Sequence, residues 1–417
     1  MPDAVMPPAR AITALPVTVP AAIRGASRIA CDAIEQVTNI VESMHANIAA
    51  AQMPLSRRVR TRTRGLTGFV YDSIRLVNSA TRATLDKALS LIAADFGPSL
   101  PQPHADHALS ALNGVVGDYL EATGNPLAIR MQMRRDGKPV NPEDLGASHR
   151  LLMLVHGLCM NDRQWTIKGH DRGAVLARQA GYTPIHLFYN TGRHVSENGR
   201  DFADKLEDLL RITPQSVEEL VILAHSMGGL VTRSACHYGL LAGHSWLKPL
   251  RTIVFLGTPH HGAPLERGGN WLQTLGGISP YTAPLARLGM IRSAGVTDLR
   301  YGNLLDEDWN RADRFEPTGD LRKQVPLPAG INCYAMAATL ATRGSSVSDC
   351  LIGDGLVPLA NALGRHQGRE KALRIPKSKQ WIGYGMNHFE LLHRRETYEQ
   401  LREWLTEKSS TLPSVAP

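Results

Sequence analysis

The stretch LVILAHSMGGLVTRS sets Ser226 between an apolar run and a helical pattern, with Ala224 two residues before it and Gly228 two residues after. A serine presented from a tight strand-to-helix turn needs small neighbours at those positions, because the incoming strand and outgoing helix pass close together. Glycine is usual at the first position, and Ala224 meets the same volume limit. A hydroxyl is a weak nucleophile until a base takes its proton and an acid orients that base. In a strand–turn–helix serine site the acid and then the histidine come later in the chain.

His388 follows KQWIGYGMN and precedes the helical run FELLHRRETYEQLREWL, at the end of a final strand. His393 falls inside that run beside Arg394 and Arg395 and reads as surface-facing. His366 lies in a charged loop between Gly364 and Gly368, away from any strand end. For the acid, Asp354 sits between Gly353 and Gly355, in a turn that can aim a carboxylate. Asp349 is its closest competitor, and Asp306 and Asp308 are further rivals. A tetrahedral intermediate also needs two hydrogen-bond donors. The Met227 amide follows the nucleophile, and the Leu158 amide in LVHGLCMNDRQW comes from the loop after an early strand. His156 reads as a loop residue, Cys159 as inert. His260 and His261 in TPHHGAP have no third metal ligand at suitable spacing, so no metal site is read and no cofactor is needed.

These residues require a scaffold. Strands are expected at 151–156, 183–189, 220–225, 252–257, 331–337 and 379–385, and helices near 172–180, 197–211, 228–241 and 389–407. Their alternation predicts a mostly parallel sheet covered on both faces. Asp136-Gly137 marks a hairpin turn. The roughly 70 residues between the strands ending near Gly257 and beginning near Ile331 are long for a connection, which predicts a helical cap or lid at about 262–330. Before the sheet, residues 1–25 read as a disordered leader and 26–122 as a helical region, leaving 123–410 for the α/β domain. Apolar residues at helical spacing run through 32–48 and 67–94, and a short helix is expected at 105–121.

The 417-residue chain carries a formal charge of +8. Arg57, Arg58, Arg60, Arg62 and Arg64 crowd one linker between the N-terminal helices. No aromatic residues lie among them and no nucleic-acid motif accompanies them, so nucleic acid is not expected as a partner. Attachment to an anionic lipid surface is one reading. Packing of the helices on the α/β domain, or on each other, explains the same periodicity. No secretory signal or membrane-spanning run is read, and five scattered cysteines suit free thiols in the cytoplasm, with a Cys333–Cys350 bridge as the alternative.

Together, VHGL, AHSMGG, LGTPHHGAP, GDGLVP and MNHFELL, spread over about 60% of the chain, resemble the lipase branch of the α/β-hydrolases. Their order is similar to that in bacterial triacylglycerol lipases and in the catalytic domain of GPI inositol-deacylases. The resemblance implies an α/β-hydrolase fold and a Ser226–His388–Asp354 triad with Leu158 and Met227 amides at the oxyanion hole. It implies an esterase or lipase acting on ester or lipid substrates, with a role in lipid metabolism. Acyl transfer by the same triad, or a non-catalytic binding protein on this fold, are the alternatives.

Overall fold

The computed structural model describes residues 18–51, 61–95, 102–141, 145, 149–167, 170–213, 216–263, 293–310, 322–343 and 353–406. They fall into two compact units. Pro103–Tyr119 and the described residues from Ile129 onward form one, and the described residues up to Gln102, with Leu120–Ala128, form the other.

The larger unit is built on strands β1 (Gln132–Arg135), β2 (Lys138–Pro139), β3 (Arg150–Val155), β6 (Thr183–Phe188), β7 (Glu219–His225), β8 (Leu250–Leu256), β9 (Asn332–Thr339) and β10 (Gln380–Tyr384). A small separate ribbon pairs β4 (Thr166–Ile167) with β5 (His170–Asp171). The order across the main sheet is β10-β9-β8-β7-β3-β6-β1-β2. The six strands from β10 to β6 are mutually parallel, whereas β1 runs antiparallel to β6 and to β2. All six expected strands are present, each within two residues of its expected bounds. The Asp136-Gly137 turn is also present, with φ of 52° and 75° at its two residues, the left-handed pair that a two-residue hairpin requires.

The central strands are unbroken apolar runs because both faces are covered. Met153, Val155, Ile222 and Phe255 face Phe202 and Leu206 of α5 (Val195–Ile212) and Leu230 of α6 (Met227–Leu241). Their chain neighbours Leu152, Leu154, Val221 and Leu223 share the opposite core with Leu176 of α4 (Arg172–Gln179) and Leu401 and Trp404 of the last helix (Arg395–Thr406). Each fully buried side chain of this size stabilises the fold by roughly 1.5–3 kcal/mol. This sheet, with Ser226 at the β7–α6 turn, is the α/β-hydrolase fold.

One expectation needs correction here, and another falls largely outside the described residues. The helix expected over 389–407 is divided: a 3-10 turn spans His388–Leu392, and the α-helix starts only at Arg395. Asn387 caps the turn by accepting from the Phe389 and Glu390 amides, which ties it down separately. Of the expected cap, residues 264–292 and 311–321 lie outside the described residues. Within its range, α7 (Ala294–Tyr301) is capped by Ser293, whose hydroxyl also donates to the Gly114 carbonyl at 2.7 Å.

In the smaller unit, α1 (Val19–Ala51) pairs with α2 (Gly65–Asp95). The leader expected over residues 1–25 gives way to helix at Val19. The Thr18 hydroxyl accepts from the Ala21 amide, and Pro20 falls in the first turn, where its missing N–H costs no hydrogen bond. The third helix, α3 (Gln102–Ala122), is not wholly part of this unit, although the sequence suggested it: Pro103–Tyr119 belongs with the sheet.

Candidate active site

Ser226 follows the last residue of β7 and caps α6 with φ 54° and ψ −124°. A non-glycine residue pays about 1–3 kcal/mol for such a backbone, and it persists only where the surroundings over-determine it. Three features do so. The Ser226 amide donates to the Leu256 carbonyl of β8 at 2.8 Å. Gly228 lets α6 approach β3 closely: a Cβ there would lie 2.6 Å from the His156 carbonyl oxygen and 2.7 Å from that of Val155. Gly157 faces the serine itself, and its Cβ would fall 2.9 Å from Ser226 Cβ. The small-residue pattern therefore reflects real backbone proximity.

Asp354 and His388 are brought together. His388 Nδ1 lies 2.6 Å from Asp354 Oδ2, and the His388 amide donates to the Asp354 carbonyl at 3.2 Å. The other carboxylate oxygen, Oδ1, accepts from the Leu356 and Val357 amides at 3.0 and 2.8 Å, which fixes the carboxylate plane. Gly353 (φ 70°) is required by the turn, since a Cβ would lie 2.0 Å from the Val357 carbonyl oxygen. Both side chains are buried. With Nδ1 committed to the carboxylate, Nε2 is the free nitrogen of the ring, and it is buried without a hydrogen-bond partner. The imidazole packs 4.7 Å, centroid to centroid, from that of His225, the residue before the serine. His388 is also close to Gly257, at the end of β8, where a Cβ would meet the ring at 2.9 Å. No hydrogen bond joins Ser226 to His388; such contacts are commonly loose before substrate binds.

The rival residues are occupied elsewhere. Asp306 pairs with Arg200, and Asp308 accepts from the Leu304 and Leu305 amides. Asp349 lies outside the described residues. His366 accepts from the Gly368 amide through Nδ1. His393 is half-buried rather than surface-facing, and its carbonyl accepts from Arg172.

Leu158 lies in the loop after β3, and Met227, next to Ser226, is the first residue of α6. Neither backbone amide donates to a protein group among the described residues. The loop carrying Leu158 is braced in ways the sequence did not disclose. Cys159, read as inert, holds a left-handed backbone (φ 58°), and its amide donates to Thr191 Oγ1 at 3.1 Å. Burial pushes its thiol up to about 12, so it stays protonated. His156 stacks on Tyr189, whose hydroxyl donates to the His156 carbonyl at 2.8 Å. Burial lowers the His156 pKa to about 4 and keeps the ring neutral. Helix α3 closes the loop from outside: a Cβ on Gly114 would lie 2.2 Å from Cys159 Sγ, and one on Gly117 would lie 1.9 Å from Asn190 Oδ1. Two glycines three residues apart in a helical pattern were the available signal of that close approach.

The TPHHGAP turn packs as structure. A Cβ on Gly229 would lie 2.0 Å from Thr258 Oγ1, and the Gly262 carbonyl accepts from Asn361. His260 is fully buried and held neutral by desolvation. Among the described residues no cluster of three metal-binding side chains occurs.

A family model described as a domain of unknown function, DUF7379, matches residues 130–300. No curated protein matches the chain. Among solved structures, the chain is similar to mature lipase BlEst2 of Bacillus licheniformis at 19% identity and TM-score 0.40, covering 66% of this chain and 98% of that one. EstA of Clostridium botulinum is similar at 12% identity and TM-score 0.37, covering 63% and 88%. An α/β hydrolase superfamily protein of Enterococcus faecalis is similar at 14% identity and TM-score 0.39, covering 62% and 90%.

Proposed function

We propose that this chain is a serine hydrolase that cleaves carboxylic esters, an esterase or lipase, through an acyl-enzyme intermediate. The observation that carries the reading is the His388–Asp354 contact of 2.6 Å beside a serine held at φ 54°. Ser226 Oγ attacks the ester carbonyl while His388 Nε2 takes its proton. Asp354 keeps the proton on Nδ1 and stabilises the imidazolium as it forms. The Leu158 and Met227 amides donate to the oxyanion. His388 then protonates the departing alcohol. Water attacks the acyl-serine by the same route in reverse, releasing the acid and restoring the hydroxyl.

Ser226→Ala tests this directly. The variant should keep the wild-type melting temperature and lose hydrolysis of a graded panel of p-nitrophenyl esters by several orders of magnitude. A fluorophosphonate should modify wild-type protein at Ser226 alone. Modification at another residue, or near-full turnover by the variant, rejects the assignment. An added acceptor alcohol in the same assay reveals any acyl transfer as a new ester product.

A further inference from the structure

The seam between α1 and α2 is ionic. Asp86 pairs with Arg28 at 2.7 Å, Asp32 with Arg82, and Glu42 with Arg75. Glu42 is buried and also accepts from the Thr63 amide and hydroxyl at 2.9 and 3.0 Å. Burial favours its neutral form, but the Arg75 guanidinium and the Thr63 donors outweigh that and hold its carboxyl below the usual range. The Asn78 amide crosses the same seam to the Cys31 carbonyl.

The apolar positions lie away from it. On α1, Ile34, Val37, Ile40, Val41 and Met44 form a stripe at helical spacing, with Val37 and Met44 each 60% exposed. On α2, Phe69 is 69% and Leu76 70% exposed, with Val70 and Val77 beside them. Helices that pair in water turn such stripes inward and leave their charges outside. Here the polar groups satisfy one another between the helices and the apolar faces remain outside, an arrangement suited to an apolar surrounding. Neither helix is long and apolar enough to cross a membrane.

Charge is arranged to match. The linker between the helices carries the five arginines from Arg57 to Arg64, of which Arg62 and Arg64 are described and exposed. A shallow recess lined by Ile40, Ser43, Met44, Thr61, Arg62 and the seam residues Asn39 and Arg75 puts Arg62, 3.8 Å from Asp72, and hydroxyls against one end of the apolar stripe. This is the juxtaposition found where acyl chains meet phosphate headgroups. We propose that the α1–α2 pair is an in-plane docking surface for an anionic phospholipid bilayer, its apolar faces entering the acyl region and Arg62 and Arg64 facing the phosphates.

The test is flotation of the full chain with phosphatidylcholine vesicles, with and without phosphatidylserine, at low and high salt. Wild type should bind the serine-containing vesicles, and high salt should weaken that binding. Val37→Glu with Leu76→Glu, and separately Arg62→Glu with Arg64→Glu, should each lower partitioning about 10-fold or more. Both should leave hydrolysis of a soluble ester unchanged, so failure here is separable from failure of the triad. Serine replacements at Val37 and Leu76 are read instead if helicity falls in the glutamate variant. The proposal is overturned if wild type stays with the soluble fraction at low salt, or if the variants float like wild type. It is also overturned if sedimentation velocity finds a dimer that the apolar variants dissociate and vesicles do not, because a second copy then covers this face.

Discussion

Ser226 shows how far single residues could be read. Its small neighbours, the aspartate between two glycines and the histidine after the last strand are all local patterns, and local patterns survive in a sequence. Which carboxylate meets His388 is not local, because Asp349, Asp306 and Asp308 satisfy the same chain order. The left-handed Cys159 and its Thr191 partner left no local trace either: each depends on a neighbour distant in sequence. The acid can be tested by replacement. Asp354→Asn keeps the shape and removes the charge that stabilises an imidazolium, so kcat should fall roughly 10³–10⁴-fold. Asp349→Asn should leave kcat within about two-fold of wild type. Steady-state kinetics of the pair decides, and the reverse pattern transfers the role to Asp349.

Elements were legible where one periodicity dominated. The parallel strands were, since burial on both faces forces continuous apolar runs. The division of the C-terminal helix was not, because His393 leaves the helical backbone (φ −141°) within a pattern that continues smoothly in hydropathy. Helix α3 was legible as a helix but not its neighbours, since periodicity shows that a face is buried and not what buries it. Its Gly114 gives a prediction at this scale. Gly114→Val adds a β-branched side chain where even a Cβ lies 2.2 Å from Cys159 Sγ. Overpacking of this kind costs about 1–3 kcal/mol, and valine's gain in helix propensity over glycine is well under 1 kcal/mol. The urea midpoint should therefore fall. Ester turnover should fall with it, because the displaced loop carries Leu158. An unchanged midpoint would show that α3 does not brace this loop.

Across the whole molecule, the fold holds several histidines neutral. Burial lowers His156 to about 4, and lowers His225 and His260 well below their ordinary value. Between about pH 6.5 and 4 the unfolded chain binds protons that the folded chain refuses. Stability is thus complete above about pH 6.5 and is lost as pH falls through the folded pKa. From 6.5 to about 4, His156 alone can account for up to about 3 kcal/mol. Urea midpoints measured from pH 7.5 to 4.5 should drop steadily below 6.5. His156→Gln should flatten that slope by at most about 1.4 kcal/mol per pH unit. A midpoint that rises on acidification would contradict this. The five arginines of the linker and the alternating strands were visible in composition and pattern. The outward apolar faces of α1 and α2 were not, because only the pairing of the helices reveals which sides remain uncovered.

The span between the parts of the site has a consequence for the nascent chain. His225, next to the serine, is 163 residues ahead of His388. At a synthesis rate of about 5–20 residues per second, roughly 8–30 s pass between the emergence of one and the other. Throughout that interval the ribosome-bound polypeptide carries Ser226 without His388, the base that the proposed mechanism pairs with it. On the proposed mechanism, the growing chain cannot attack esters around it until His388 has emerged and β10 has docked.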